Sequence, residues 1–522
     1  MKDYDYIVIG SGFGGSVAAL RLAEKGYKVA VLEQGKRYRS KDFPKTNWNF
    51  RKYFWIPKIG FYGIQALTLL KDIFILHGTG VGGGSLVYAN NLIVPSDEAF
   101  DNPVWGGPGW KEKLTPFYEK AKIMLGVTKS EVLTHADKLL QECAEDAGIG
   151  DTFHVNDVGV YFGEPGVTVS DPYFDGQGPD RTGCILCGGC MVGCRHGAKN
   201  TLDLNYLFLA EKLGVDIIPE TRVVDVQPND SENYILITKK VTGIVKRKIV
   251  YHAGGVVFSG GVMGTVKLLH RCKSNGSLPN ISQQLGNFVR TNSEAIQGVV
   301  AKRKDIDYSK GIAITSGIFP DKNTHIETCR YGKGQGAMSL LATLLVDKHD
   351  YVPRPILWLW NIIRHPLVFL RSMNPIGVSE KSTYVLVMQT ISNYMRFDYK
   401  RRWWRLGKRS MNSNCDTDQK VPAYIPVANE YTRRLAEKID GDPVASITEI
   451  FLNTSTTAHI MGGCVMADNP ENGVIDHKGQ IFGYKNLYVA DGSIVPANLG
   501  VNPSLTITAM AEYILDQVPE KI

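Results

Sequence analysis

The N-terminal segment carries the pattern that most constrains how this chain can fold. An apolar run, Tyr4–Gly10, is typical of a buried parallel strand. It leads into the glycine pattern Gly10-x-Gly12-x-x-Gly15 and then into a segment with the apolar spacing of an amphipathic helix. A second apolar run follows and ends immediately before Glu33. The order strand, glycine turn, helix, strand and acid predicts a nucleotide-binding βαβ unit.

Each part of this unit has a physical role. The glycines allow a tight turn and let the backbone approach a pyrophosphate at the N-terminus of the helix. Glu33 can accept hydrogen bonds from both ribose hydroxyls, and its charge would repel a 2′-phosphate. The motif alone leaves open whether the nucleotide is FAD or NAD.

Two further stretches separate these cofactors. One is HGTGVGGGSLVYANN, residues 77–91, and the other runs from HIMGGC at His459 through LYVADGSIVPANLGVNPSLTITAMAE to Glu512. Both resemble the glucose–methanol–choline (GMC) oxidoreductases, which bind FAD. Within that family, and over nearly its whole length, the chain looks most like cholesterol oxidases of the actinobacterial type. One local departure is Tyr88, which stands where better-studied cholesterol oxidases have an asparagine near the flavin.

The resemblance implies FAD as the cofactor. It assigns binding to the N-terminal glycine motif, to the glycine-rich turn that follows residue 80, and to the C-terminal stretch. The implied FAD-binding residues are Gly10, Gly12, Gly14, Gly15, Glu33, Gly82, Gly83, Gly84, Ser85, Val223, Asp491, Gly492, Asn502 and Pro503.

The resemblance also implies an α/β fold with two domains. A Rossmann-like FAD-binding domain would be assembled from discontinuous segments, residues 1–40, 75–95, 200–300 and 470–522. An α+β substrate domain with an antiparallel sheet would comprise residues 41–74, 96–199 and 301–469. Local patterns agree, because residues 233–251 predict a β-hairpin and residues 504–518 predict a closing helix.

Three residues are implied to be catalytic. Oxidising an alcohol requires an acceptor for the hydroxyl proton while hydride leaves the carbon. His459 and Asn502 match the family's paired site, in which the histidine hydrogen-bonds the substrate hydroxyl and the asparagine holds its oxygen. Glu327 falls where cholesterol oxidases place a carboxylate that shuttles a proton between neighbouring carbons. The alternative interpretations are a structural histidine and a surface glutamate.

A cysteine-rich run, CILCGGCMVGC, contains four of the nine cysteines. Its spacing, C-x2-C-x2-C-x3-C, is that of bacterial ferredoxins. We therefore predict that an iron–sulfur cluster is bound by Cys184, Cys187, Cys190 and Cys194. The alternatives are a zinc site, disulfides, and a loop that carries cysteines as small apolar residues.

Composition and charge exclude some classes. With 43% hydrophobic and 21% charged residues, the chain should fold as a globular protein rather than remain disordered. A net charge of +7 is small for 522 residues and does not suggest a nucleic-acid binder. The first residues lack the basic and apolar parts of a signal peptide, so we expect a cytoplasmic protein, with peripheral contact at a membrane as an option.

Two segments have surface-like compositions. Tyr351–Arg371 combines tryptophans, aliphatic residues and basic residues, as interfacial segments do, although a lid over the substrate cavity or a dimer contact fits equally well. Arg396–Ser410 is strongly basic and favours a solvated hairpin, with anionic lipid or nucleic acid as alternative partners.

Together these features predict an FAD-dependent alcohol oxidoreductase for a 3β-hydroxysteroid or a similar apolar alcohol, with Δ5 to Δ4 isomerisation as an additional step. Oxygen or a redox carrier would accept the electrons. The alternatives are a GMC dehydrogenase that passes electrons from another alcohol through an iron–sulfur cluster, and a flavin- and cluster-binding redox sensor that does not turn over.

Overall fold

The computed structural model describes residues 2–229, 233–243, 247–402, 406–416 and 418–521. It confirms the α/β class, because a mixed sheet holds the N-terminal strands and a separate antiparallel sheet is built from later segments. The helices are Phe13–Glu24, Phe50–Tyr53, Asp97–Phe100, Trp110–Leu125, His135–Asp146, Tyr206–Lys212, Gly261–Asn275, Arg354–Arg364, Pro366–Ser372, Val378–Lys381, Pro426–Ile439, Ile447–Leu452 and Ser504–Asp516.

The mixed sheet begins with the predicted βαβ unit. The strand Lys2–Ile9 is followed by the helix Phe13–Glu24, and the strand Val29–Leu32 returns parallel to the first, with Ile9 opposite Leu32. All four residues of Val29–Leu32 are buried, as expected of a parallel strand covered on both faces. The strand order is Asp216–Ile218, Val29–Leu32, Lys2–Ile9, Lys248–Phe258, Tyr234–Lys240 and Thr221–Pro228, with Leu487–Val489 also pairing with Lys248–Phe258.

The predicted hairpin and closing helix are both present. Tyr234–Lys240 and Lys248–Phe258 pair antiparallel, and Ser504–Asp516 packs beside the N-terminal helix. A buried ion pair joins these two helices, since Arg21 Nε lies 2.8 Å from a carboxylate oxygen of Glu512. The N-terminal and C-terminal segments therefore form one structural unit.

The antiparallel sheet forms one wall of the molecule's interior. Its strand order is Ala342–Leu344, Gly441–Ser446, Ala295–Ala301, Ser382–Gln389, Thr324–Cys329, Ile314–Asp321 and His154–Val155. The helices His135–Asp146 and Pro426–Ile439 cover one face, and Ile314, Leu386 and Met388 form a separate apolar cluster. A smaller sheet contains Gln65–Leu69, Ile73–Gly78 and Ser455–Thr457. The limits of the two predicted domains stay a prediction.

Shorter strand pairs lie outside these sheets. They are Trp55–Ile56 with Phe61–Tyr62, Thr128–Lys129 with Asp157–Val158, Thr168–Val169 with Arg181–Thr182, and Arg396–Arg401 with Arg409–Asn414. The last pair is the hairpin predicted from the basic segment, and Trp403 and Trp404 of that segment lie outside the described residues.

The segment Tyr351–Arg371 folds into two short helices, Arg354–Arg364 and Pro366–Ser372. Trp358 packs inward against Phe451 and donates a hydrogen bond from Nε1 to Thr343 Oγ1. On the outer side, Ile356, Trp360, Ile363, Leu367 and Leu370 are all more than half exposed. Within the described part of the chain, no helix combines the length and apolarity needed to cross a bilayer.

Candidate active site

The glycines of the N-terminal motif are needed for close packing of backbone on backbone. A Cβ atom at Gly14 would overlap the carbonyl oxygen of Ala490, and one at Gly83 would lie 2.6 Å from the Cα of Gly12. Gly12 differs from these two glycines, because a Cβ atom added to it would meet no atom closer than 4.0 Å. The packed loops therefore leave a free space beside Gly12, at the N-terminus of the helix Phe13–Glu24.

Glu33 lies at the bottom of this cradle and is buried. Its carboxylate accepts hydrogen bonds from Ser11 Oγ at 2.8 Å and from the Gly35 backbone N–H at 2.8 Å. Burial raises the pKa of Glu33, and these hydrogen bonds oppose the shift. Val223 is buried on the strand Thr221–Pro228 of the mixed sheet.

The C-terminal stretch closes the cradle from the other side. The Asp491 carboxylate accepts hydrogen bonds from the backbone and hydroxyl of Ser493, and so fixes the turn at Gly492. Asn292 braces the loop before Asn502, since its side-chain oxygen accepts from the backbone N–H of Leu499 and of Gly500. Each contact is 2.9 Å long.

The three residues predicted to be catalytic lie together although they are far apart in sequence. The Asn502 side-chain nitrogen lies 3.5 Å from His459 Nε2. Asn91 links this pair to Glu327, because its amide nitrogen donates to Asn502 Oδ1 at 3.2 Å and also to Glu327 Oε1. Asn156 provides a second amide donor to the same Glu327 oxygen, at 3.1 Å.

A carboxylate that the sequence did not predict stands behind His459. Glu294 is buried, and its Oε2 lies 3.1 Å from His459 Nδ1. Burial alone would lower the pKa of His459, but the charge and hydrogen bond of Glu294 more than reverse that effect, so the pKa is raised. A carboxylate this close to Nδ1 favours the neutral tautomer protonated on Nδ1, which leaves the lone pair of Nε2 on the side of Asn502.

Glu327 is fully buried among these amides. Burial raises its pKa to about 8, against the opposing effects of His459 and of the Asn502, Asn91 and Asn156 side chains. The carboxyl group is therefore poised near neutral pH, which is the range required of a group that both takes and returns a proton.

A cavity of about 300 Å³ connects His459, Asn502 and Asn91 with the cradle, and Glu327 lies behind Asn91 rather than in the cavity wall. Its polar lining includes His459, Asn502 and Asn91. Phe13, Gly84 and Pro503 line the part that belongs to the nucleotide cradle. The apolar lining beyond the polar groups includes Ile296, Ile314, Met338, Leu341, Tyr384 and Leu386.

Tyr88 also lines the cavity and is held in a fixed position. Its ring meets Phe13 edge-on at 5.7 Å between centroids, and its hydroxyl donates to the Asn200 carbonyl at 2.7 Å. Lys199 Nζ lies 4.9 Å from the centre of the same ring. Tyr88 is therefore a cavity wall, with its polar end directed away from the space.

The structure gives no support to the metal site predicted at the cysteine run. All nine cysteines are free thiols, and the residues that the structure describes contain no group of three or more His, Cys, Asp or Glu side chains placed to hold a metal ion. Cys184 and Cys190 pack against the apolar cluster of Val158, Val160 and Ile312. Burial raises the pKa of Cys184 to about 11, which disfavours the thiolate that metals bind.

The iron–sulfur cluster therefore stays a prediction that the described residues do not support. The packing of the run agrees with the alternative in which the loop carries cysteines as small apolar residues, because two of the four face a hydrophobic cluster. A spacing of cysteines along the chain does not by itself bring the sulfur atoms around one centre.

Comparisons with known proteins agree with this geometry. A model of the FAD binding domain matches residues 5–48, and the GMC oxidoreductase model matches residues 388–511. A cholesterol oxidase from Acinetobacter baumannii is 46% identical over 99% of this chain and 95% of its own length. One from Mycobacterium tuberculosis (strain ATCC 25618 / H37Rv) is 45% identical over 99% and 92%. The chain belongs to the GMC oxidoreductases.

This GMC oxidoreductase is an FAD-dependent enzyme that acts on a CH–OH group. Its fold is shared with the crystal structure of pyridoxine 4-oxidase from Mesorbium loti, with a TM-score of 0.62, 15% identity and 98% of both chains covered. The cradle fits the cofactor, because the free space beside Gly12 and the buried carboxylate of Glu33 correspond to a pyrophosphate and a ribose.

Two substitutions separate cofactor binding from folding. A side chain at Gly12 projects into free space, so Gly12→Val should fold but lose most of its bound FAD. Gly14→Val would overlap the Ala490 carbonyl and should prevent normal folding. The measurements are flavin absorbance per mole of purified protein and circular dichroism. A folded Gly12→Val protein with a full complement of FAD would contradict the assignment.

Proposed function

We propose that this enzyme oxidises the 3β-hydroxyl group of a sterol to a ketone and then moves the double bond from Δ5 to Δ4. The observation that carries the proposal is the position of His459 and Asn502 at the junction of the FAD cradle and an apolar cavity. The 46% and 45% identity to two cholesterol oxidases supports a sterol substrate.

The oxidation step would use His459 and Asn502. Nε2 of His459 accepts the hydroxyl proton, because Glu294 holds the proton on Nδ1 and stabilises the imidazolium that forms. The Asn502 amide nitrogen, 3.5 Å from that Nε2, holds the substrate oxygen beside it. When bound, FAD supplies the acceptor for the hydride.

Replacement of either residue should slow the oxidation selectively. We expect His459→Gln and Asn502→Leu to lower the rate of anaerobic flavin bleaching by sterol by about 10²-fold or more. Stopped-flow absorbance measures this rate. The matched control is His270→Gln, which removes a histidine that bonds the Phe397 carbonyl outside the cavity, and its rate should stay within about twofold of wild type. Wild-type rates in both test variants would refute the assignment.

The isomerisation step would use Glu327. Its carboxylate takes a proton from the carbon between the ketone and the double bond and returns it to the far end of that double bond. Asn91 and Asn156 donate hydrogen bonds to one oxygen of this carboxylate.

The pH dependence of this step follows from the pKa of about 8. Only the ionised carboxylate can take a proton, so the isomerisation rate should rise about tenfold per pH unit below 8 and level off above it. The assay supplies a Δ5-3-ketosteroid directly and follows the absorbance of the conjugated enone. Glu327→Gln should accumulate the unconjugated ketone when sterol is the substrate. Continued enone formation in this variant would remove Glu327 from the mechanism.

We also propose oxygen as the electron acceptor. The support for this proposal is that both cholesterol oxidases compared with this chain are named oxidases. A sensor without turnover is disfavoured because the proton acceptor and its supporting carboxylate are both in place.

Finally, we propose peripheral contact with a lipid bilayer through the helices Arg354–Arg364 and Pro366–Ser372. Trp360 and Leu367 are 51% and 76% exposed, and the Arg364 guanidinium lies 4.6 Å from the Trp360 ring centre. Aromatic, aliphatic and cationic groups on one surface suit the headgroup region of a membrane. A sterol must also leave a bilayer to reach the cavity.

Removal of this exposed surface should weaken vesicle binding. We expect Trp360→Ser/Leu367→Ser to reduce co-sedimentation with vesicles of phosphatidylcholine and phosphatidylserine several-fold, while turnover of detergent-solubilised sterol stays unchanged. Ile123→Ser is the matched control, because Ile123 is 69% exposed on a different helix, Trp110–Leu125. Equal sedimentation of all three proteins would exclude this surface.

A further inference from the structure

Two histidines stand behind Glu327, on the side away from the cavity. His325 precedes Glu327 by two residues on the strand Thr324–Cys329, so both side chains lie on the same face of the sheet. His325 Nε2 lies 3.2 Å from His154 Nε2, and His325 Nδ1 lies 3.7 Å from Glu327 Oε1. The two imidazoles thus connect the buried carboxyl group to the edge strand His154–Val155.

A glycine makes this contact possible. Gly317 lies on the strand Ile314–Asp321, between the two neighbouring strands. It is opposite His154 on one side and opposite Glu327 on the other. A Cβ atom at this position would overlap His325 Nε2 and would lie 3.2 Å from His154 Nε2. Gly317 therefore provides the space in which the two rings meet.

The hydrogen-bond partners determine which ring nitrogens of His154 and His325 donate and which accept. His154 Nδ1 lies 2.9 Å from the Thr152 carbonyl, which can only accept, so Nδ1 carries the proton and Nε2 is an acceptor. His325 must then donate from Nε2, which leaves its Nδ1 as a bare acceptor facing Glu327. Both His325 Nδ1 and Glu327 Oε2 are buried without a hydrogen-bond partner.

We propose that His325 and His154 carry protons between Glu327 and solvent. The O–H bond of the Glu327 carboxyl breaks as an N–H bond forms at His325 Nδ1, while His325 Nε2 passes its own proton to His154 Nε2. The resulting His154 imidazolium releases a proton to water. Passage in the opposite direction restores the original tautomer of His325 and protonates Glu327 again.

The surroundings fit this role. Glu327 and His325 are buried, whereas His154 is partly exposed. The 3.7 Å between His325 and Glu327 can close by rotation about the soft terminal torsion of the carboxyl group. Lys129 and Asp157, which pair with each other at 2.9 Å, are the charged groups near the outer histidine, and His459 is the titratable group facing the inner end.

The relay rests on the proposed role of Glu327 in isomerisation, because it would supply and remove the proton of that carboxyl group. Its test does not require turnover. The holoenzyme is held at pH 6, where a group with a pKa of about 8 is protonated. The infrared C=O band that is lost in Glu327→Gln reports this carboxyl group. Rapid mixing with deuterated buffer then gives its rate of exchange from the shift of the band.

We expect exchange at least tenfold slower in His154→Phe and in Gly317→Ala than in wild type. His154→Phe keeps a ring to stack on Phe319, which lies 5.0 Å from the present ring centre. His154→Gln serves as a second replacement, and it should also slow the exchange. The control is His270→Phe, which removes a histidine that has no contact with Glu327, and it should exchange as wild type does.

Wild-type exchange in His154→Phe and His154→Gln would overturn the relay even if the isomerisation is real. In that case Glu327→Gln would still block enone formation, so the two proposals fail separately. When the relay and the isomerisation both hold, wild-type enzyme in deuterated buffer should label the enone more than His154→Phe does.

Discussion

The contact of backbone with backbone at the glycine motif is the constraint on which the rest of this structure depends. Gly14 packs against the Ala490 carbonyl and Gly83 against Gly12, with no room for a side chain at either point. These contacts bring together three segments that are far apart in sequence. They also set the position of the C-terminal stretch, and with it the position of Asn502 relative to the cradle.

The polar groups at this junction form two sets, one around His459 and one around Glu327, and their surroundings shift the two pKa values for different reasons. His459 is backed by the Glu294 carboxylate, which strengthens it as a base. Burial raises the pKa of Glu327 and weakens it as an acid, although His459 and the neutral amides around the carboxyl group oppose that effect. The same small region thus contains one group that tends to be charged and one that tends to be neutral, and this is a common way to assign acid and base roles.

The sequence predicted the fold because the fold depends on local motifs, and the family resemblance named His459, Asn502 and Glu327, which the structure brings together. The catalytic roles of these three residues stay predictions. The strand–glycine–helix pattern and the stretches around His459 and Asn502 determine nearby backbone geometry, so they can be identified without the structure. Glu294 and His154 could not be found this way, because each meets its partner through contacts between segments that are far apart in sequence. Asn91 is the last residue of the motif HGTGVGGGSLVYANN, but its contacts are with Glu327 and Asn502, which are distant in sequence.

The cysteine run is a weaker case, because nothing among the described residues supports the cluster that its spacing predicts. Its spacing is regular along the chain, yet ligand geometry requires sulfur atoms to converge in space, and here two of them pack into an apolar cluster instead. Spacing is a strong predictor where a turn or helix translates it directly into position. It is a weak one in an irregular loop, where the path of the backbone is set by its neighbours.

The order of strands in the mixed sheet has a consequence for synthesis on the ribosome. Lys248–Phe258 pairs both with Lys2–Ile9, made at the start, and with Leu487–Val489, made almost at the end. The helix Ser504–Asp516, which covers the N-terminal helix, is made later still. The mixed sheet therefore cannot be completed until Leu487–Val489 and Ser504–Asp516 have been made, and its first strands must wait until then with apolar surface uncovered.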